Sequence, residues 1–224
     1  MTKRKLERFA QNSTFRHVFQ PYYHELVSGF KLKGKWKSDF FGNENPVVLE
    51  LGCGKGEFTV GLGQKYPEKN YIGIDVKGAR MWRGANTANE ENLKNVAFIR
   101  CKVEQLELLF SPGEVDEIWI TFPNPQIKNT ATKKRLTSPQ FLKRYRKVAK
   151  NDTIIHLKTD NTGFFDYTLE VISEENLPLL YSSHDIYHSP DHEDVTSIQT
   201  HYEKLFAAQG ETIKYLKFVL HKNS

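Results

Sequence analysis

The chain has 224 residues, of which 38% are hydrophobic and 12% aromatic, and this is enough to bury the core of one sizeable α/β domain. No apolar run approaches the ~20 residues of a membrane span, and the N-terminus lacks the apolar centre of a signal peptide, so we expect a cytoplasmic protein without a membrane partner. Cys53 and Cys101 are too few for a disulfide framework, and we expect both to be reduced. The net charge of +5 is less informative than its distribution along the chain.

The first predicted element is a basic, aromatic-rich N-terminal arm, residues 1–44, that precedes a domain over residues 45–224. Residues 1–40 carry nine Lys or Arg against three Asp or Glu, with aromatic side chains between them. Such a segment favours a polyanionic partner, because contacts with phosphates reward clustered cations. Within it, the lysine-rich stretch 31–37 does not favour a helix.

From residue 46 onwards, apolar runs alternate with amphipathic stretches. Strands are predicted at 46–51, 70–75, 96–101, 115–122 and 153–159, and helices at about 56–66, 77–92, 103–110 and 138–150. A helix at about 163–175, a strand at 179–186, a helix at about 198–208 and a strand at 213–220 follow. Strands alternating with helices through short links predict a doubly wound, Rossmann-like α/β fold with a mainly parallel sheet.

The first predicted strand runs directly into a glycine loop, and the two read VVLELGCGKGEF from Val47 to Phe58. The glycines in this loop are Gly52, Gly54 and Gly56. A loop with so few side chains allows its backbone to lie against a bulky ligand where a Cβ atom would collide. A tight strand-to-helix turn that binds no ligand is the alternative, because such turns also favour glycine.

The second strand ends in a carboxylate, Asp75, nineteen residues beyond Gly56. A carboxylate at this place can accept hydrogen bonds from the two hydroxyl groups of a ribose. The dinucleotide fingerprint requires a glycine where this chain has Glu57. Together with Glu50 just before the loop, the spacing is therefore typical of an S-adenosylmethionine site rather than an NAD site.

Charge is also segregated in the second half of the chain. Residues 128–150 hold nine Lys or Arg and no acid, whereas residues 160–199 hold nine Asp or Glu and no Lys or Arg. Two basic blocks beside a cofactor domain favour a nucleic-acid partner, although a solvated helix face remains the alternative. The helix in the basic block is predicted to begin with a capping box formed by Thr137 and Gln140, with Pro139 in its first turn.

Ligands of doubly wound sheets bind at the carboxyl ends of the strands. This rule places five segments around one cleft, namely the glycine loop, Asp75, Lys102, Phe122–Lys128 and Thr159–Asp160. At the exit of the fourth strand, two prolines flank Asn124 and stiffen its loop, which would hold the amide in a fixed direction. A turn that merely ends the strand is the alternative interpretation.

Several motifs together resemble the bacterial tRNA (guanine-N7)-methyltransferases, from about Pro46 to Phe218. The matching pieces are ELGCGKGEF, the GID acid, PGEVDEIWITFPNPQIK, KKRLTSPQFLK, LKTDN-x-GFFDY and THYE-x-x-F. The resemblance implies a seven-stranded class I methyltransferase fold whose last strand is antiparallel. It also implies transfer of a methyl group from S-adenosylmethionine to N7 of a guanosine in the tRNA variable loop.

Site residues follow from this resemblance by position. The cofactor-binding residues are expected to be Glu50, Gly52, Gly54, Gly56, Asp75, Lys102 and Asn124. The guanosine is expected to meet Lys128, Asp160, Thr200, Tyr202 and Glu203, and Asn124 and Asp160 are expected to serve catalysis. No metal and no obligate protein partner is implied, and we expect a monomer or a homodimer.

Three positions depart from the pattern of the family. Asn124 stands where an aspartate is usual, Lys102 stands where an aspartate often meets the adenine amino group, and Thr130-Ala131 replaces Arg-His. Lys102 cannot accept a hydrogen bond from adenine, so its backbone or Glu104 would have to do so. The reaction tolerates such changes, since guanine N7 carries a lone pair and no proton and its attack requires no general base. Alignment of the reacting atoms and a favourable field then supply the catalysis, with Asp160 and Glu203 as the carboxylates nearest the developing cation.

Three other interpretations remain open. The pair Asn124-Pro125 is similar to the motif of enzymes that methylate exocyclic amino groups, although those motifs continue with an aromatic residue. A decayed methyltransferase that only binds tRNA would explain Asn124 and Lys102 as traces of lost activity. His184, His188 and His192 have the spacing of a metal site, but the surrounding proline and acids favour a loop.

Overall fold

The computed structural model describes residues 3–189 and 193–221. Its helices are α1 (Lys3–Asn12), α2 (Tyr23–Gly29), α3 (Glu57–Lys65), α4 (Gly78–Glu90), α5 (Leu106–Leu109), α6 (Pro139–Arg146), α7 (Thr162–Glu174), α8 (Glu193–Thr196) and α9 (His201–Ala208). Its strands are β1 (Val18–Phe19), β2 (Val47–Leu51), β3 (Asn70–Asp75), β4 (Val96–Arg100), β5 (Val115–Thr121), β6 (Ala149–Thr159), β7 (Leu179–Ser183) and β8 (Lys214–Leu220).

All of these strands belong to one sheet in the order β1-β4-β3-β2-β5-β6-β8-β7. The strands from β1 to β6 pair in parallel, whereas β8 lies antiparallel between β6 and β7. The central strands β2, β3 and β4 are buried along nearly their whole length, which explains their continuous apolar runs. The predicted doubly wound fold and its antiparallel last strand are therefore confirmed.

The sheet has eight described strands, one more than the seven predicted. The additional strand β1 comes from the N-terminal segment and pairs with β4 through Val18–Phe98 and Phe19–Ile99. Apolar residues at a free sheet edge gain both ladder hydrogen bonds and burial by pairing there. Two residues are too short a run to be detected by their periodicity.

Several aromatic residues of the N-terminal segment pack into the main core, whereas Tyr22 and Tyr23 are exposed. Trp36 is fully buried and donates from Nε1 to the carbonyl of Leu109 at 3.1 Å. Aromatic rings surround it, namely those of Phe19, Phe30, Phe40, Phe41 and Phe110. Residues 36–41 form a short π-helical turn, so the segment is ordered against the sheet even though its lysines do not favour a regular helix.

Three predicted details at the basic block were wrong. Helix α6 ends at Arg146 rather than at residue 150, and β6 begins at Ala149 rather than at residue 153. The first helical residue is Pro139, which makes Ser138 the N-cap instead of Thr137. The hydroxyl of Thr137 is paired with that of Thr168 at 2.8 Å. A hydrogen bond to a neighbouring helix thus replaces the predicted capping box, and sequence alone does not reveal such a partner.

Candidate active site

A cavity of about 580 Å³ opens at the carboxyl ends of β2, β3, β5 and β6. Its volume lies in the range of sites for ligands of nucleoside size. Its wall contains Gly52, Gly54, Asp75, Phe122–Gln126, Asp160, Thr200 and Tyr202, with Glu50 at its base. Segments far apart in sequence are therefore brought together at the edge of the sheet where the strand rule predicted them.

The glycine loop has a left-handed backbone at all three of its glycines, with φ of 78° at Gly52, 54° at Gly54 and 73° at Gly56. Their surroundings differ. A Cβ atom at Gly56 would lie 2.5 Å from the ring of Phe98, whereas nothing lies within 4 Å of one at Gly52. Gly52 therefore keeps space open at the cavity, and Gly56 allows the loop to pack against β4.

Asp75 ties the loop to the end of β3. Its Oδ2 accepts a hydrogen bond from the backbone of Gly54 at 3.0 Å, and its Oδ1 accepts one from the backbone of Lys77 at 2.7 Å. The carboxylate also faces the cavity. This geometry fits an acid that holds the loop in place and offers its remaining lone pairs to the hydroxyl groups of a ribose.

Glu50 is buried beneath the loop with its carboxyl group fully engaged. Oε2 accepts from the backbone of Thr59 at 2.9 Å and from the hydroxyl of that residue, and Oε1 accepts from the hydroxyl of Thr121 at 2.6 Å. Burial raises the pKa of Glu50 to about 7, against the opposing effect of these hydrogen bonds. Glu50 therefore joins β2, α3 and β5 at the base of the site.

The loop after β5 carries Asn124 on the cavity wall. Its Oδ1 accepts from the backbone of Gln126 at 3.1 Å, which closes an Asx turn. Phe122 and Gln126 both have positive φ, 46° and 49°, an uncommon conformation for residues with side chains. The predicted rigid loop therefore has local strain as well as its two prolines.

Asp160 follows β6 and lies half-buried in the wall of the cavity. Burial raises the pKa of its carboxyl group above the usual value. Its backbone carbonyl accepts from Lys214 Nζ at 2.9 Å, which fixes the turn between β6 and α7. A partly desolvated carboxylate at this point acts more strongly on a nearby cation than one in bulk water.

The segment 200–203 is split between the cavity and the core. Thr200 and Tyr202 line the cavity, whereas the Glu203 side chain points inward and is 1% exposed. Glu203 Oε1 lies 2.6 Å from Nζ of the fully buried Lys158 and accepts from the hydroxyl of Tyr187 at 2.6 Å. Lys158 also donates to the carbonyl of Val195 at 2.7 Å, and burial lowers its pKa. This buried ion pair fastens α9 to β6.

Four of the predicted site residues lie outside the cavity wall, namely Gly56, Lys102, Lys128 and Glu203. Lys102 is exposed and its backbone N–H donates to Gln105 at 3.0 Å, and Glu104 does not line the cavity either. Lys128 is exposed at the end of the loop that carries Asn124. Their roles therefore stay predictions.

The cavity has two features that the sequence analysis missed. One is a cationic rim in which Lys55, Lys77 and Arg80 join Lys134 of the basic block. The other is an aromatic wall in which Phe206 lies 6.0 Å from Phe122 and 6.5 Å from Tyr202, measured between ring centres. The spacing of Tyr202 and Phe206, four residues apart on a helix, is the signal that could have revealed this wall.

No group of three potential metal ligands occurs within residues 3–189 and 193–221. Of the three histidines with metal-like spacing, His184 packs against Phe165 and His188 pairs with Asp185 at 2.8 Å. His192 lies outside the described residues. Cys53 and Cys101 are buried free thiols, and burial raises the pKa of Cys101 to about 12. Over the same described ranges, no helix combines the length and apolarity that a membrane crossing requires.

Solved structures share this fold at low sequence identity. An antibiotic-related methyltransferase aligns with a TM-score of 0.61 and 18% identity over 82% of this chain and 92% of its own. A 16S rRNA (adenine(1408)-N(1))-methyltransferase from Catenulisporales acidiphilia, solved with its cosubstrate SAM, aligns with a TM-score of 0.58 and 14% identity over 82% and 89%. The sheet order and these likenesses define the Rossmann-like fold of the class I methyltransferases.

Sequence comparisons give a finer result. Residues 44–216 match the family described as "Putative methyltransferase". The tRNA (guanine-N(7)-)-methyltransferase of Christiangramia forsetii is 54% identical over 97% of this chain and 98% of its own length. That of Bacteroides thetaiotaomicron is 50% identical over 98% of this chain and 87% of its own length. The chain belongs to the tRNA (guanine-N7)-methyltransferase family.

Proposed function

We propose that this protein transfers a methyl group from S-adenosylmethionine to N7 of a guanosine in tRNA, in the variable loop, and gives 7-methylguanosine. The membership of the family supports the reaction. The observation that carries it to this chain is the cavity, where the glycine loop and Asp75 face Asn124 and Asp160 across one space. We expect it to act in the cytoplasm as a monomer or a homodimer.

The residues present fit S-adenosylmethionine. Asp75 offers carboxylate lone pairs to ribose hydroxyl groups, and the open space at Gly52 allows close approach to the backbone. The carboxylate at the end of β3 and the glycine at the end of β2 would hold the nucleoside, with Asn124 nearer the reacting end. When bound, the cofactor supplies an electrophilic methyl group.

Catalysis of methylation at N7 requires alignment of the reacting atoms and stabilisation of a positive charge. Guanine N7 has a lone pair and no proton, so no side chain has to remove one, and alignment supplies much of the rate. The purine becomes cationic as the N7–C bond forms, and a carboxylate nearby stabilises that charge. Asp160, half-buried in the cavity wall, has this role in our proposal, which requires its carboxylate form.

Guanine also presents N1–H and an amino group, which a carboxylate can bind and which adenine lacks in this arrangement. Asp160 faces the cavity, whereas the Glu203 carboxylate is bound to Lys158 and Tyr187. Glu203 would reach the base only by giving up these partners. We therefore assign the contact with the purine to Asp160, and to Glu203 the placement of Thr200 and Tyr202.

Affinity for tRNA comes mainly from its phosphates and shape. The exposed cations of the 128–150 block, including Lys128, and the rim residues Lys77 and Arg80 offer such contacts. A guanosine held in tertiary structure has to be drawn out before it can enter, at a cost of roughly a few kcal/mol.

The test is methyl transfer from labelled S-adenosylmethionine to an unmodified tRNA transcript, with the product nucleoside identified by mass spectrometry. We expect 7-methylguanosine. A methyl group on an exocyclic amine would transfer the assignment to the other class of enzymes. If no product forms and a titration detects no cofactor binding, the protein is a decayed enzyme and the proposal is wrong.

A further inference from the structure

Arg135 belongs to the basic block 128–150, yet its charge is directed into the protein. Its Nε donates to the carbonyl of Pro125 at 3.1 Å, and its Nη2 lies 3.5 Å from the carbonyl of Gln126. Both acceptors belong to the loop that carries Asn124. Lys133 and Lys143 of the same block are exposed, whereas Arg135 is half-buried.

The other side of the guanidinium rests on a helix. Its central carbon lies 4.3 Å from the ring centre of Tyr167, at the distance of a cation–π contact. Tyr167 lies in the second turn of α7, the helix that begins just after Asp160. Arg135 therefore connects the Asn124 loop to the helix that follows the proposed catalytic carboxylate.

The loop has a reason to need this connection. Phe122 and Gln126, at its two ends, have φ of 46° and 49°. Residues with side chains rarely adopt this conformation, which persists only where surrounding contacts hold it. The Asn124 Oδ1 bond to the backbone of Gln126, at 3.1 Å, depends on that same backbone conformation. Contacts at the carbonyls of Pro125 and Gln126 thus act directly on the direction of the Asn124 side chain.

Arginine suits this place better than lysine. Its planar guanidinium can bond two neighbouring carbonyls with its edge while its face lies on an aromatic ring. A lysine ammonium has the same charge but cannot do both. A substitution of lysine for arginine should therefore impair this position, whereas a phosphate contact at the protein surface would tolerate it.

We propose that Arg135 is a positioning residue for methyl transfer, which clamps the loop 122–126 to α7 and so keeps Asn124 aligned in the cavity. The proposal rests on the proposed role of Asn124. It gives one cation of the basic block a role other than contact with the tRNA phosphates.

Arg135→Lys is the main test, because it keeps the charge and removes the planar fork. We expect kcat to fall roughly 10- to 100-fold, as for a small misplacement of a reacting group, while KM for tRNA and cofactor affinity stay within about twofold. Lys143→Gln is the matched loss of one charge from the same block, and we expect it to raise KM for tRNA without such a fall in kcat. Wild-type kcat for Arg135→Lys would overturn the proposal, as would a rise in KM alone.

Two further variants separate positioning from general stability. Tyr167→Phe keeps the ring under the guanidinium and should preserve kcat, whereas Tyr167→Leu removes it and should lower kcat as Arg135→Lys does. All assays are run well below the melting temperature of each variant. If Tyr167→Leu only lowers the melting temperature and leaves kcat unchanged, the clamp does not serve the reaction and the proposal is wrong.

A double-mutant cycle tests whether Arg135 acts through Asn124. The double variant Arg135→Lys, Asn124→Ala should be no slower than Asn124→Ala alone, because the loop has nothing left to position. If the double variant is slower than Asn124→Ala by the same factor that Arg135→Lys costs in the wild type, the proposal is wrong. A fully active Asn124→Ala would refute the role of Asn124 and this proposal with it. The proposed function has a separate test, because it is wrong if the wild-type protein makes no 7-methylguanosine.

Discussion

Gly52 and Gly56 allow two matched substitutions in one loop, because both have a left-handed backbone and only one is enclosed. With φ of 78° and 73°, an alanine at either position costs about 1–2 kcal/mol from the backbone alone. At Gly56 the new Cβ atom would also lie 2.5 Å from Cε1 of Phe98, a fully buried ring in β4. Overpacking of this kind adds about 1–3 kcal/mol.

We therefore expect Gly56→Ala to lower the free energy of unfolding by about 2–5 kcal/mol and Gly52→Ala by about 1–2 kcal/mol. The affinity for the cofactor should show the opposite order, with a larger loss in Gly52→Ala than in Gly56→Ala. The Gly52 Cβ atom would enter the open space of the cavity, while Gly56 lies outside its wall.

Urea unfolding measures the first quantity, and calorimetric titration with S-adenosylhomocysteine at a temperature where both variants are folded measures the second. Gly52→Ala should weaken binding more than its small loss of stability suggests. An equal loss of unfolding free energy in the two variants would refute the steric argument at Phe98. Unchanged affinity in Gly52→Ala would refute the placement of the cofactor at this glycine.

Four other substitutions test separate parts of the site. Burial raises the pKa of Glu50 in the folded state to about 7, against 4.5 when it is exposed. Its contribution to the free energy of unfolding, about 3 kcal/mol, is therefore complete below pH 4.5 and is lost as the pH rises through 7. Glu50→Gln should reduce this difference between urea unfolding at pH 5 and at pH 8.5, and a difference equal to that of the wild type would contradict the assignment. Lys158→Met strands the buried Glu203 carboxylate and should lower the unfolding free energy by about 3–5 kcal/mol, whereas a near-neutral result means that the pair is hydrated. Asp160→Ala should abolish turnover and spare cofactor binding in the same titration, and lost binding would sink its assignment. Asn124→Asp should remain active in the methyl-transfer assay; if turnover disappears, the mapping of that position is wrong.

Local patterns allowed much of the fold to be predicted. Each central strand is a continuous apolar run, and the strand exits carry the residues that meet at the cavity, so Asp75 and Asp160 could be placed near each other without coordinates. The Val18–Phe19 strand was missed because two residues have no detectable period. The sequence shows the positive charge of residues 1–40, but it does not show that Trp36 is buried, because its partner Leu109 lies more than seventy residues away.

The chemistry of the site was harder to predict, because it depends on which way each side chain points. Glu203 follows the pattern of the family, yet its carboxylate is turned toward Lys158, a partner that only the packing of α9 on β6 reveals. Arg135 was indistinguishable from its neighbours in a run of cations, although it is half-buried and the adjacent Lys133 and Lys134 are exposed. Charge patterns identify the class of partner but not which cations meet it.

The most direct measurement of the central claim uses a tRNA transcript made with 7-deazaguanosine in place of guanosine. Carbon replaces the nitrogen at position 7, so the lone pair is lost while the other edges of the base are kept. The account predicts that this transcript competes with normal tRNA for the enzyme and accepts no labelled methyl group. Methyl transfer to the 7-deazaguanosine transcript would show that another atom is the acceptor and would contradict the account.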